Sequence, residues 1–243
     1  MRGLQVLATG PLATVQDLGR PGRADLGLGP GGAADRASLR QVNRLLGNDE
    51  GAAAVEVTLG GLVVRAWGAL DVALTGAPCE GSVHPVHGSA RGLGPGTPHR
   101  LADGDVLRLG TAAVGLRCYL GVRGGVQVDP VLGSRSTDLL AGVGPPPLVA
   151  GAELAVGPAA GPWPGLDLAH WLTDPRRGDR LAVVPGPRDD WFTPTALQEL
   201  TAGPWRVGAA ADRSAVVLDG PLLQRSRPGE LPAEGHTSKT SMQ

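Results

Sequence analysis

Three consecutive runs, Ala53–Leu59, Leu62–Trp67 and Leu70–Thr75, constrain the fold more than any other feature of the chain. Each is short, rich in Val and Leu, roughly alternating in polarity, and separated from the next by glycine. That is the signature of strands with one buried face, and their close succession predicts a β-meander. Leu4–Thr9, Asp105–Leu109 and Val114–Val122 repeat the pattern, so the chain is expected to be mainly β. The clearest helical period places Leu39, Val42, Leu45 and Leu46 on one face, with Asp35 suited to cap the start and Gly47 to end it.

Composition has to be discounted before it is used. Gly 39 and Pro 22 make up a quarter of the 243 residues, a share that ordinarily signals turn-rich or low-complexity sequence. The chain also has no isoleucine, one Phe, one Tyr and a single lysine, Lys239. Arg, Ala, Gly and Pro abound instead, as a strongly GC-biased genome dictates. Residues that run against this bias stand out, and the two asparagines, Asn43 and Asn48, lie close together.

A net charge of −1 gives no basic field for nucleic acid or an anionic membrane. The N-terminus lacks the long apolar core of a signal peptide, and the uncharged run Leu139–Ala152 is broken by Gly and Pro. A soluble, cytoplasmic protein is expected, with neither nucleic acid nor membrane as partner. Cys79 and Cys118 form no CxxC pair and read as buried free thiols.

From Gly142 to Gly165 Pro and Gly dominate without apolar period, which fits a connection between domains. The expected division is an N-terminal β domain over 1–165 and a second β domain over 178–235. In the second, Leu181–Val184, Trp205–Val207 and Ala215–Leu218 read as strands, and Thr193–Leu200 as a short helix opened by Thr-Pro. Residues 236–243, HTSKTSMQ, hold the single lysine and read as an atypical tail.

Two stretches carry polar side chains that an ordinary core does not explain. Gly10–Asp35 gathers Thr14, Gln16, Asp17 and Arg20 among turn formers, and is expected to line a site rather than fill one. Ser134, Arg135, Ser136, Thr137 and Asp138 form the second. Gly27, Gly29 and Gly32 satisfy G-x-G-x-x-G, but no buried strand precedes them, and Asp35 as cap would occupy the helix amides that a pyrophosphate needs. A structural turn is the better reading. A Walker loop fails, because Lys239 follows Ser238 and has Ala233 where the first glycine belongs. His84 and His87 lack a nearby third ligand and read as a loop pair without metal. Arg36, Arg40 and Arg44 share one helix face, read as solvated, with phosphate or partner contact as the alternative. Glu56 faces away from its apolar neighbours by strand alternation. It therefore points either into solvent or into a cavity, where it would serve as a general base.

Taken in order, TVQDLGRPG, GLGPGGAADRAS, NRLLGN, AVEVTLGG, ALTGA, YLGVRGG, VLGSRSTD, VVPGP with DWFT, and ADRSAVVLDGP resemble the KipA family. That family is also called allophanate hydrolase subunit 2 or the 5-oxoprolinase C-subunit, and is related to biotin-dependent carboxyltransferases. The resemblance runs from the first strand to about Gly235. It implies an N-terminal β domain followed by a cyclophilin-like β-barrel, with further strands past Gly235 that this chain lacks. The second domain is thus expected to be truncated, with exposed edges. The chain departs from the family at Gly31–Asp35, GGAAD for SGAMD, and at Ala211–Ala215, ADRSA for SDRMG.

The resemblance further implies a subunit of an ATP-dependent 5-oxoprolinase, a hydrolase that converts 5-oxo-L-proline to L-glutamate and is active only in complex. Its partners would be a KipI-type subunit and a third, lactam-hydrolysing subunit. ATP with Mg would be bound by the complex, on this chain or on a partner. Activating an unstrained lactam by phosphorylation needs anion clamps, a polar grip on the amide and excluded water. Carried onto the matching motifs, the catalytic set is Gln16, Asp17, Arg20, Glu56 and Arg135, and the substrate-binding set is Thr14, Asn43, Ser136, Thr137 and Arg213. Arg20, Arg135 and Arg213 would act as clamps, and no metal ligand is implied. The alternatives are carboxyl transfer from carboxybiotin in a urea carboxylase or allophanate hydrolase system, a regulatory antagonist of a KipI-like kinase inhibitor, and an inactive truncated product.

Overall fold

In the computed structural model, which describes residues 2–159, 161–165, 181–208, 215–226 and 239–242, the chain divides into two units, Met1–Gly178 and Asp179–Gln243. Strands of the first unit are β1 (Gly3–Thr9), β2 (Leu12–Gln16), β3 (Ala54–Thr58), β4 (Leu62–Trp67), β5 (Leu70–Gly76), β6 (Gly81–His84), β7 (Arg91–Leu93), β8 (Pro98–Leu101), β9 (Val106–Leu109), β10 (Arg117–Val122), β11 (Val126–Gln127) and β12 (Glu153–Val156). Helix α1 (Arg36–Leu45) lies between β2 and β3. One sheet has the order β11-β12-β1-β4-β9-β6-β7, the other β2-β3-β10-β5-β8. The pairings are antiparallel.

The fold is mainly β, but β3, β4 and β5 do not form the expected meander. β3 and β5 belong to one sheet and β4 to the other. The cause is at the corner, where Leu59, Gly60 and Gly61 all take positive φ (59°, 87° and 80°). A Cβ on Gly60 would lie 1.9 Å from the Gly110 carbonyl oxygen. Only glycine fits there, and the chain swings out of one sheet into the other instead of closing a hairpin.

The sheets pack face to face. Leu4, Val6, Leu62, Val64 and Leu107 of the first meet Val15, Val55, Val57, Val72, Leu120 and Val122 of the second in one continuous core. Cys79 and Cys118 are free thiols in this core. The side-chain hydrogen bond with the Cys79 thiol, and then burial, push the Cys118 thiol well above its ordinary range.

The outer face of the second sheet carries α1, whose Leu39, Val42, Leu45 and Leu46 pack on Ala54, Ala73 and Tyr119. At about 2 kcal/mol for each fully buried aliphatic side chain, this face stabilises a helix too short to persist alone. Asp35 caps it by accepting from Ser38 N at 3.0 Å, and Gly47 ends it with φ 61°. On the solvent side Arg40 and Arg44 both pair with Glu50, at 3.5 and 2.5 Å.

Two strands lie where the sequence predicts connections. β2 falls inside the polar stretch Gly10–Asp35, yet it is a buried edge strand. Its open edge is covered by later chain: Thr137 N donates to Val15 O and Leu148 N to Ala13 O, both at 2.9 Å. Thr14 and Gln16 hide it from a period-two reading. β12 lies within Gly142–Gly165 and pairs with β1, Leu154 opposite Leu4.

In the second unit, α2 (Pro194–Ala202) begins at Thr193, whose hydroxyl accepts from Ala196 N at 3.1 Å. A small antiparallel sheet joins β13 (Arg206–Val207), β14 (Val216–Asp219) and β15 (Lys239–Met242); β15 comes from the compositionally distinct tail. Leu181–Val184, expected as a strand, is irregular, with Leu181 and Val184 exposed, so no buried face fixes a pairing there. Arg213 lies outside the described residues. Among those described, no helix is long and apolar enough to cross a membrane.

Candidate functional site

The two polar stretches meet. β2 runs straight into Asp17, and the segment 131–138 lies against it. The Asp17 carboxylate accepts from Gly19 N at 2.7 Å, Ser134 Oγ at 2.6 Å, Ser136 Oγ at 2.5 Å and Arg135 N at 2.6 Å. Its own N–H donates to Ser136 Oγ at 2.9 Å. With four donors on two oxygens, this carboxylate fastens one stretch to the other.

Arg20 is buried in the same cluster. Its Nη2 donates to Ser136 O at 2.6 Å, its Nε points to Val131 O at 3.4 Å, and its Nη1 lies 3.7 Å from Asp138 Oδ2. Gln16 Nε2 donates to Thr14 Oγ1 and Thr137 O, both at 3.0 Å. Gln16 Oε1, Thr137 Oγ1 and Arg20 Nη1 are buried without a hydrogen-bond partner. Buried polar atoms are ordinarily satisfied, so these three are hydrogen-bonding capacity that the cluster's own side chains leave unused.

A second polar arrangement crosses the sheet beneath α1. Thr14 on β2 pairs with Glu56 on β3, Glu56 with Tyr119 on β10, and Tyr119 with Thr75 on β5. Glu56 Oε2 accepts from Tyr119 Oη at 2.8 Å and Ala34 N at 2.9 Å, and Oε1 lies 3.5 Å from Arg117 Nε. Tyr119 Oη in turn accepts from Asp35 N at 2.7 Å, while Thr75 Oγ1 donates to Ser38 O at 2.7 Å. Burial and the Glu56 charge hold the Tyr119 hydroxyl far above its ordinary range. The row seats the first turn of the helix. Glu56 therefore faces neither solvent nor an open cavity: strand alternation puts it on the outer face, and the segment leading into α1 covers that face.

At the other end of α1, Asn43 Nδ2 donates to Ala52 O at 2.7 Å and Glu50 O at 3.1 Å. Asn48 Nδ2 donates to Val122 O at 2.9 Å, and its Oδ1 accepts from Gly124 N at 2.8 Å. Arg123 donates to Leu46 O and Gly161 O and stacks over Trp163, 4.3 Å from the ring centroid. Beside them lies a cavity of about 240 Å³ lined by Asn48, Asp49, Gly51, Gly124, Gln127 and Arg135, among others. Arg135 joins the two regions. Its backbone N–H belongs to the Asp17 cluster, while its side chain turns the other way, Nε donating to Val128 O at 2.9 Å.

Residues 26–240 match the profile of the family described as carboxyltransferase domain, subdomain A and B. The chain belongs to this carboxyltransferase-domain family. Among its relatives, the 5-oxoprolinase C-subunit of Escherichia coli (strain K12) is 33% identical over 96% of this chain and 73% of that protein. Urea amidolyase of Lachancea kluyveri is 32% identical over 92% of this chain, which spans 13% of the larger protein. The crystal structure of TTHA0988 superposes with a TM-score of 0.80 at 34% identity, covering 92% of this chain and 43% of that one.

Within this carboxyltransferase-domain chain, the structure brings Thr14, Gln16, Asp17, Arg20, Ser136 and Thr137 together. It sets Glu56 beside Thr14 under the helix start, and Asn43 at the helix end. The segments NRLLGN, YLGVRGG and VLGSRSTD converge on the Arg135 cavity. Tyr119, Asn48, Ser134 and Arg123 hold these arrangements without a role that the sequence alone assigns. Rarity is a usable signal for the tyrosine and the asparagine; Arg123 carries none.

Proposed function

We propose that this chain is a subunit of an ATP-dependent 5-oxoprolinase that converts 5-oxo-L-proline to L-glutamate together with a KipI-type partner and a lactam-hydrolysing subunit. The observation that carries the reading is the identity to a bacterial 5-oxoprolinase C-subunit along nearly the whole chain. The buried cluster is compatible in its chemistry. Gln16 Oε1 is an acceptor for a lactam N–H, and Thr137 Oγ1 is a donor for its carbonyl. Away from water such contacts are stronger and need no reorganisation.

Among the described residues, this cluster does not fit a magnesium-bound triphosphate. The Arg20 guanidinium is taken up by Ser136, Val131 and Asp138, and the sequence contains no Walker loop. We assign nucleotide to the partner subunits. The test is 5-oxoproline-dependent glutamate release with ATP, using this chain mixed with its two partners. Release that disappears when the chain is omitted supports the reading; equal release without the chain overturns it. Unchanged turnover in Gln16→Ala would remove that residue from the substrate grip.

Similarity to a urea amidolyase favours one second reading, carboxyl transfer from biotin carried by another protein. Its distinguishing requirement is a biotinylated partner, and activity that is indifferent to avidin excludes it.

A further inference from the structure

We propose that Cys79 and Cys118 are a modification site: a dithiol that a small peroxide oxidises to an intramolecular disulfide, joining β10 to the connection between β5 and β6. The site is independent of the function proposed above and uses none of the residues assigned to it.

The two cysteines are the only ones in the chain, come from different elements, and meet in one core. Cys118 lies inside its sheet, opposite Val57 on β3 and Gly76 on β5. Cys79 follows Gly76 by three residues, in a connection pinned at both ends. Ala77 N donates to Arg117 O at 2.7 Å, beside Cys118, and Glu80 O accepts from Gly110 N at 2.8 Å. These bonds bring thiol to thiol, and the two side chains are hydrogen-bonded to each other. Val57 O, 3.8 Å from Cys118 Sγ, is a long second acceptor. Ordinary packing asks only for small apolar groups at the two positions; sulfur against sulfur also permits a covalent bond between them.

The surroundings give the two thiols different parts. Cys79 is buried but flanked by half-buried Pro78 and exposed Glu80, whereas strands lie on both sides of Cys118. The hydrogen bond from Cys118 lowers the Cys79 pKa against the effect of burial, and the same bond, with burial, raises that of Cys118. Cys79 is therefore the thiolate that meets the oxidant. Its sulfur attacks one peroxide oxygen, the O–O bond breaks, and the leaving hydroxide takes the Cys79 proton to become water. The Cys118 sulfur then attacks Cys79 Sγ. The S–S bond forms, the S–O bond breaks, and hydroxide departs as water with the Cys118 proton. Two thiols are oxidised, one hydrogen peroxide is reduced, and two waters are released. The sulfurs must close to about 2.0 Å, and Cys79, outside any strand, is the side that yields.

The experiment treats the full, folded chain with hydrogen peroxide, blocks the remaining thiols with N-ethylmaleimide in denaturant, and reads the intact mass and the peptide map. The expected result is loss of both thiols and of two hydrogens with no oxygen gained, a peptide linking Cys79 to Cys118, and full recovery with dithiothreitol. The thermal midpoint should rise by about 5 °C or more on oxidation and return on reduction, because the closed loop from 79 to 118 restricts the unfolded chain. Cys118→Ala should stop at a Cys79 sulfenic acid that dimedone traps, and Cys79→Ala should leave Cys118 several-fold slower to oxidise. The mass change is read on the natural chain, so the test survives a variant that does not fold. Both thiols unreacted in the folded chain, oxygen added to either sulfur without a link, or a disulfide between two copies of the chain overturns the assignment.

Discussion

Asn48 donates its side-chain amide to the side-chain oxygen of Asn43 at 3.1 Å, so the two asparagines of this chain are each other's partners. Asn43 gives its own amide to Ala52 and Glu50, and Asn48 spans Val122 and Gly124. The pair ties the end of α1 to the loop before β3 and to the turn between β10 and β11. Both amide ends of Asn48 are used, so no isosteric residue can replace it. Asn48→Asp turns the donor that faces Asn43 Oδ1 and Val122 O into an acceptor. It should cost about 3 kcal/mol, against about 2 for Asn48→Ala, read from urea denaturation midpoints at constant slope. An aspartate variant as stable as the natural chain would show that the pair is incidental.

Asp17→Asn tests the cluster that joins the two polar stretches. Oδ1 accepts three donors and Oδ2 accepts Arg135 N. The amide keeps the shape, but its NH₂ must face at least one of these donors. Loss of about 2–4 kcal/mol is expected, accompanied by faster hydrogen exchange across residues 131–138 while the first-sheet amides stay protected. Uniform loss of protection would mean that the cluster is not a separate fastening.

What is legible in the sequence depends on whether a residue's surroundings are local. The α1 face, with Leu39, Val42, Leu45 and Leu46, and its cap Asp35 depend on neighbours within a turn or two, and the sequence pattern finds them. The strand pattern finds β4 to the residue and β3 and β5 to within one or two. It cannot tell that β4 lies in a different sheet, because that depends on which glycine corner turns which way. β2 escapes it because Thr14 and Gln16 are buried by partners more than a hundred residues later, Thr137 among them. For the same reason Glu56 looks free in the sequence: the groups that cover it, Ala34 and Tyr119, come from another segment and another strand. The motif resemblance names the polar residues but not which of them are already spoken for.

Gly121 on β10 lies directly under α1. A Cβ there would sit 2.7 Å from Val42 Cγ2 and 2.9 Å from Leu46 Cδ1, closer than packed carbon atoms approach. Gly121→Ala should therefore cost about 1–3 kcal/mol through displacement of the helix, despite the better strand propensity of alanine. Val42→Ala opens the same space, so the double variant should recover part of the loss, and the double-mutant cycle should show coupling. Additive losses would place the helix further from the sheet than described.

Tyr119 offers a test that needs no substitution to begin. It is the one tyrosine of the chain, it is fully buried, and its hydroxyl lies between Glu56 and Asp35 N. Burial first, and then the Glu56 charge, raise its pKa far above the ordinary value of 10.0. The native state thus keeps a proton that the unfolded chain releases near pH 10. Stability from this group is full below that pH and falls as pH rises past it, by about 1.4 kcal/mol per pH unit, because the unfolded state then binds one proton fewer. Phenolate absorbance should accordingly stay silent as the folded protein passes pH 10, and rise together with loss of the circular dichroism signal. Tyr119→Phe should be about 1–2 kcal/mol less stable at neutral pH, since Glu56 and Asp35 N each lose a partner, and its alkaline decline should be shallower by one proton. Phenolate appearing near pH 10 with the native signal intact would mean that the hydroxyl reaches water, and that the row beneath α1 is open.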